Sequence, residues 1–346
     1  MVRLLCLGFG LILIAGSPAG AAVLHGPWDA PPPVDASAPA AVPCPDAPAL
    51  PAGLAVRDYY GDPAHSVIDP ARKQAYDAAV APLHDALGQV EAMADRYRRT
   101  GDPAAARCAA QWLDRFARDG VLLGEVRGSQ SVYVQGWMLG GLAVSWLKLR
   151  SDRDAADTDT RRRIKDWLSA LADRTLAYYS PDRAARTDTR NNHRYWAGFA
   201  VAAAGVAAGR AELLDWGIAS YRLAAAQVDE DGMLPLEAAR RGWALHYHLF
   251  AAAPLVMIAE LAAANGVDLY PEHDGALGRL VERALAGLRD PRRFAERAGT
   301  PQEDPGRETL AWVTPYLRHV PQARAELPAG ADLSRGTLYL GGQLPD

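Results

Sequence analysis

Two short stretches of this 346-residue chain stand out for bringing together side chains that could move a proton or neutralise a developing charge. The first is Arg190-Asn191-Asn192-His193-Arg194-Tyr195-Trp196, at the start of an alanine-rich segment. It offers amide donors, a titratable ring and a flat stacking surface. Asn191 or Asn192 can equally serve as a helix N-cap, and Trp196 reads either as core or as a stacking platform. The second stretch is Arg240-Arg241-Gly242-Trp243-Ala244-Leu245-His246-Tyr247-His248, after the turn Asp229-Glu230-Asp231-Gly232. Arg240 and Tyr247 are seven residues apart, so one continuous helix would place them on a common face about 10 Å apart along its axis. The pair is either a cation set beside a phenol for proton transfer or a solvated arginine near a half-buried tyrosine.

Other chemistries fit less well. His246 and His248 are two apart and face different sides of a helix, and no HExxH spacing occurs, so no metal or other cofactor is expected. Asp229, Glu230, Asp231 and Glu237 could supply a hydrolase with two carboxylates about 5 to 10 Å apart, but their position suits a charged loop. The net charge is -4 and no broad basic face is readable, which excludes nucleic acid as an expected partner. An anionic polymer can still be held by a local cationic cleft.

Elements that could position these groups emerge along the chain. Leu4 to Ala15 is apolar and Ala19-Gly20-Ala21 has the form of a secretory cleavage site, so residues 1–22 read as a signal peptide. At about 12 residues the apolar run is too short to span a bilayer. No membrane span is expected after cleavage, and the mature chain is expected to be a periplasmic or secreted monomer. Cys44 and Cys108 then form an even pair in an oxidising compartment, where a disulfide is the natural state. Residues 23–56 form a Pro/Ala-rich leader, and 57–346 a single domain.

Within that domain, Asp102-Pro103 marks a helix start and Gly120 its end. Further helices are expected at about 132–149, 158–179, 194–208, 211–227, 237–264, 275–288 and 305–318. Pro82 and Pro254 should kink or split theirs. The clearest strand signal is Gly336-Thr-Leu-Tyr-Leu-Gly-Gly. Short connections make successive helices antiparallel, as in a bundle or an α/α toroid.

Several rare combinations then occur in order: Trp137-x-Leu139-Gly140, Asn192-His193-x-Tyr195-Trp196, Gln227-Val228-Asp229 with Gly232, and Leu234-Pro235. Glu237, Arg240, Ala244-Leu245 and Tyr247-His248 follow, then Asn265-Gly266-Val267-Asp268-Leu269, Gly275-Ala276-Leu277 and Leu340-Gly341-Gly342. Over residues 44 to 344 this set resembles the alginate lyases of polysaccharide lyase family five. The resemblance implies an all-α, incomplete α/α toroid with a deep cleft and a lid loop. It implies a polysaccharide lyase that cuts 4-linked polyuronates by β-elimination and leaves 4,5-unsaturated uronate ends. Polymannuronate would be cut, with polyglucuronate or hyaluronan as further candidates. By the same resemblance, Asn192, His193 and Arg240 face the substrate carboxylate and Tyr247 does the proton chemistry. Gln130, Trp137, Trp196, Tyr60, His246 and Arg335 form the expected substrate-binding set, with Tyr59-Tyr60 in the lid and Arg57 as one alignment of its basic residue. An α/α-toroid glycoside hydrolase and a non-catalytic polysaccharide-handling protein are the alternatives.

The departures concern preference more than chemistry. Pro315-Tyr316-Leu317 stands where the family has a second cysteine pair, His246 replaces a usually small residue, and Leu236 replaces a polar one. The four chemical residues suit an elimination. Taking the C5 proton from a uronate adds charge to a carboxylate, which donors must neutralise. Tyr247 then needs help to ionise, since tyrosine titrates near 10, and Arg240 and His193, if cationic, would favour its phenolate.

Overall fold

The computed structural model describes residues 23–35, 43–305, 310–334 and 337–344; the expected signal peptide 1–22 and Arg335 lie outside the described residues. Eleven α-helices are found among them: α1 (Pro70–Thr100), α2 (Pro103–Arg118), α3 (Ser129–Leu149), α4 (Thr158–Tyr178), α5 (Asn192–Ala208), α6 (Ala211–Ala225), α7 (Pro235–Ala238), α8 (Ala244–Ala263), α9 (Glu272–Arg289), α10 (Arg292–Ala298) and α11 (Val313–His319).

Their composition sorts them into two layers. Every residue from Val134 to Leu149 in α3, Tyr195 to Ala207 in α5 and Ala251 to Ala262 in α8 is buried. Helices apolar all round must be covered on all sides, and these three form an inner series with α1: α1 packs on α3, α3 on α5, α5 on α8. The outer helices are one-sided. In α4 the buried Ile164, Trp167, Leu168, Leu171, Ala172 and Thr175 follow the three-and-four spacing of a single apolar stripe. The outcome is an all-α toroid of the α/α type. The stretch Arg241–Ala263 holds an 18-residue window apolar enough to cross a membrane by length and composition, yet 89% of that window is buried inside the fold. Close approach of α5 and α6 rests on glycine: a Cβ on Gly217 would sit 2.5 Å from the Cβ of Ala202.

Several expected elements differ. α1 and α8 run through Pro82 and Pro254 as single helices. Pro82 is exposed, so the carbonyl it frees meets solvent, and Pro254 is clamped by packing on all sides. The helix expected at 237–264 is broken: Ala239 and Arg240 leave α7, Arg241–Trp243 form a 3₁₀ turn, and Arg241 takes φ 54°. Residues 337–342 form no strand but a 3₁₀ turn, Leu338–Leu340, closed by a bridge between Thr337 and Gly342. The two glycines at 341 and 342 take positive φ, which no regular strand allows.

Two straps, one from each end of the described residues, are held at the C-terminal end of α3. Leu24 and Trp28 of the leader are buried in the core. Arg150 ties this strap down through Asp29 and the carbonyls of Leu24 and Val206. At the other end, buried Lys148 donates to Asp95 and to the carbonyls of Gly341 and Gln343. The Cys44–Cys108 disulfide forms, with the Cα atoms 5.5 Å apart, and anchors residues 43–56 against α2.

Candidate active site

The first turn of α5 carries the amide and the imidazole. Asn191 is the N-cap, its side chain accepting from the His193 N–H at 3.1 Å. That leaves Asn192 free of capping duty. Asn192 is fully buried and gives both its backbone N–H and its side-chain N–H to Glu237, at 2.7 and 2.8 Å. Its Oδ1 and the Nδ1 of His193 are buried without a protein partner. Unpaired buried polar atoms are rare, and two together at one helix end mark a place where a ligand completes the bonding.

The His193 ring lies flat on Tyr133, with centroids 3.7 Å apart and planes at 16°. It also stacks on Trp137 at 6.3 Å, and Trp137 stacks on Tyr339 at 5.2 Å. Burial, then the field of Arg240, pushes His193 down to about 3. The imidazole is therefore neutral at ordinary pH, which corrects the expectation that it assists Tyr247 as a cation. Arg240 is the cation found against the Tyr247 ring, and its field opposes the upward push of burial on the phenol.

The break before α8 places Arg240. Its guanidinium carbon lies 3.6 Å from the centroid of the Tyr247 ring and 5.5 Å from that of Tyr60. The pair meets face to ring because the chain folds back at Arg241–Trp243, not because seven helical residues separate them. One guanidinium nitrogen donates to the His65 carbonyl at 2.9 Å, while Nε is buried without a partner. Tyr247 is 6% exposed, and its hydroxyl is 2.6 Å from that of Tyr60. Burial pushes the Tyr247 phenol up to about 12 despite the opposing pull of Arg240.

The loop that carries Tyr60 is docked on this break. Asp62 gathers Ser66 and Val67 into a tight turn, the Trp243 indole donates to the Ser66 carbonyl, and Arg240 takes that of His65. Arg57 is exposed.

The expected substrate-binding residues fare unequally. Gln130, on the first turn of α3, bonds Tyr76, and Trp137 is 8% exposed in the aromatic wall. Trp196 is 3% exposed with its indole N–H given to the Phe250 carbonyl. It packs beneath the site with almost no face left for sugar. Half-buried His246 packs against Trp243, Tyr247 and Phe250, within 6.0 Å of each. His248 is a core residue: Nε2 accepts from the Leu234 N–H and Nδ1 meets the Ala244 carbonyl.

The structure adds residues that pattern alone does not single out. Tyr133 lies one helical turn before Trp137, a spacing that could have flagged it. Its hydroxyl donates to Asp188, which also accepts from Tyr178 and pairs with Arg186. Tyr339 precedes the closing Gly341-Gly342 pair. Glu237, expected in a charged loop, is fully buried. Asp188 and Glu237 are therefore both consumed by protein donors, and Asp229 by Met233 and Arg297. Among the described residues no group of three His, Cys, Asp or Glu could hold a metal ion.

The helical toroid sets an amide and an imidazole at the start of α5 and a guanidinium and a phenol around the start of α8, walled by aromatic rings, and the relatives of this chain make it a polysaccharide lyase. Comparison narrows this. Residues 55–294 match the family described as alginate lyase, and the chain belongs to that family. It is 43% identical to a polysaccharide lyase of Stenotrophomonas maltophilia over 77% of this chain and 80% of the relative. It is 38% identical to an alginate lyase of Azotobacter vinelandii over 91% and 86%. Among solved structures, alginate lyase A1-III of a Sphingomonas species aligns with TM-score 0.70 and 26% identity, over 91% of this chain and 87% of that one. A histidine-to-alanine variant of the same enzyme, complexed with a tetrasaccharide, aligns with TM-score 0.72 over 91% and 86%.

Proposed function

We propose that this enzyme cleaves alginate at 4-linked mannuronate by β-elimination, leaving 4,5-unsaturated uronate ends, and accepts 4-linked glucuronate polymers as well. The observation that carries this is the Arg240 guanidinium stacked 3.6 Å from the Tyr247 ring, with the Tyr60 hydroxyl 2.6 Å from the reacting oxygen. Arg240 and the Tyr60 hydroxyl favour the phenolate, which takes the C5 proton. The phenol so formed returns a proton to the departing O4. Charge building on the substrate carboxylate meets Asn192, neutral His193 and Arg240, donors already held in place. The free protein holds Tyr247 protonated, so the base step draws on a phenolate fraction that grows about tenfold per pH unit below its pKa.

One group acting as base and then acid needs the proton and leaving group on the same side of the sugar. Mannuronate and glucuronate meet that condition and guluronate, the C5 epimer, does not. His246 and Leu236 are where we place the widened preference, with Gln130 and Trp137 holding neighbouring sugars. Export belongs to the same proposal: the Cys44–Cys108 bond suits an oxidising compartment, and fractionation should find a monomer in the periplasm or medium. Initial rates on pure polymannuronate, polyguluronate, polyglucuronate and hyaluronan, read as near-ultraviolet absorbance, test the activity. Fast cleavage of polyguluronate alone would overturn the role given to Tyr247.

A further inference from the structure

Glu237 has no assigned part in the elimination, yet its carboxylate is bonded directly to Asn192, one of the proposed substrate-facing donors. It sits on the single turn α7, fully buried. Its two oxygens take two N–H groups of one residue, Asn192, at 2.7 and 2.8 Å. Its own carbonyl accepts the Arg240 N–H at 3.1 Å. Stability alone gives little reason for a carboxylate here, because burying an ion is rarely repaid by its partners.

We infer that Glu237 is a positioning residue that sets which way the Asn192 amide faces the substrate; this rests on the elimination chemistry proposed above. Burial raises the Glu237 carboxyl and the two Asn192 N–H groups oppose it; with both oxygens accepting from Asn192, the carboxylate form holds Nδ2 turned toward it. That fixes the amide, leaving Oδ1 without a protein partner and one Nδ2 hydrogen unspent. A glutamine at 237 keeps the volume but brings its own N–H₂ against the Asn192 donors. One amide must then turn over, and the donor aimed at the sugar is no longer held.

The test is a double-mutant cycle on one polyuronate: Glu237→Gln, Asn192→Ala and the double variant, each checked by circular dichroism and thermal midpoint. Glu237→Gln should lower kcat about 30- to 300-fold, comparable with losing one preorganised donor, with KM within about threefold. Added to Asn192→Ala it should lower kcat by no more than about threefold, because residues acting through one another are non-additive. Multiplicative losses in the double variant, or a folded Glu237→Gln enzyme near wild-type kcat, would overturn the inference. Full activity of Asn192→Ala would instead remove the elimination role of Asn192 itself. Should Glu237→Gln not fold, Glu237→Asp takes its place in the same cycle, and additive losses there overturn the inference equally.

Discussion

Replacing Arg240 with methionine removes the cation that lies against the Tyr247 ring while keeping the length of the aliphatic stem. The guanidinium carbon lies 3.6 Å from the ring centroid, which puts the charge about 4 to 5 Å from the phenolic oxygen. At an effective dielectric of about 20, such a pair is worth about 4 kcal/mol. Arg240 is partly exposed, so solvent screening halves this to about 2 kcal/mol, or about 30-fold in phenolate population. In the proposed elimination the same substitution also deletes a donor to the substrate carboxylate, a loss of about 100-fold or more. Together these predict a fall in kcat of about 10³ to 10⁴. The rise of rate with pH should also move to higher pH, because the phenolate is harder to form. Arg240→Lys should recover only part, since a compact ammonium cannot both hold the His65 carbonyl and lie across the ring. The measurements are initial rates of unsaturated-uronate absorbance from about pH 6 to 10, with circular dichroism to confirm folding. A folded Arg240→Met enzyme within tenfold of wild type, with an unmoved pH profile, would refute this charge balance.

Tyr247→Phe should nearly abolish turnover while retaining fold and most substrate binding, and near-normal rates would exclude its oxygen from the chemistry. Removing the disulfide by Cys44→Ser with Cys108→Ala should lower unfolding free energy by about 4 kcal/mol in the chain-entropy view, given the 64-residue separation; an unmoved denaturant midpoint would contradict it. Stability should also be bounded in pH from both sides. Tyr247 is raised by burial to about 12, and Tyr76 and Tyr221 are raised too. Their contribution is complete below the unfolded value of about 10 and is lost as pH climbs through the folded values. His193 and His248 are lowered to about 3 and about 4. Theirs is present above about 6.5 and lost as pH falls toward those values. Thermal midpoints should therefore stay level between about pH 6.5 and 10 and drop outside it, and a midpoint still rising above pH 10 would contradict the tyrosine assignment.

How far local pattern reaches can be judged at two places in this chain. The start of α5 was legible because an N-cap is a local signal: asparagines before an alanine-rich run leave few other arrangements, and Asn191 takes the cap while Asn192 faces inward. Spacing singled out the Arg240–Tyr247 pair but not the contact it makes. Heptad spacing puts the two on one face of a helix, but at that distance along the axis a guanidinium would not lie flat on the phenol ring. They meet because the helix stops at Ala238, Arg241 adopts φ 54°, and the chain resumes at Ala244. Nothing local announces that stop beyond one glycine, since its support is distant. Gln302 bridges the Arg241 carbonyl and the Leu245 N–H, and Glu303 bonds the Gly242 carbonyl. The same holds for Glu237, whose burial depends on a partner 45 positions away and which pattern alone assigns to solvent. Periodicity recovers the helices because apolar burial is summed over many residues. The catalytic geometry depends instead on one strained residue and a few long-range bonds, and such points of local inconsistency tend to be where function sits.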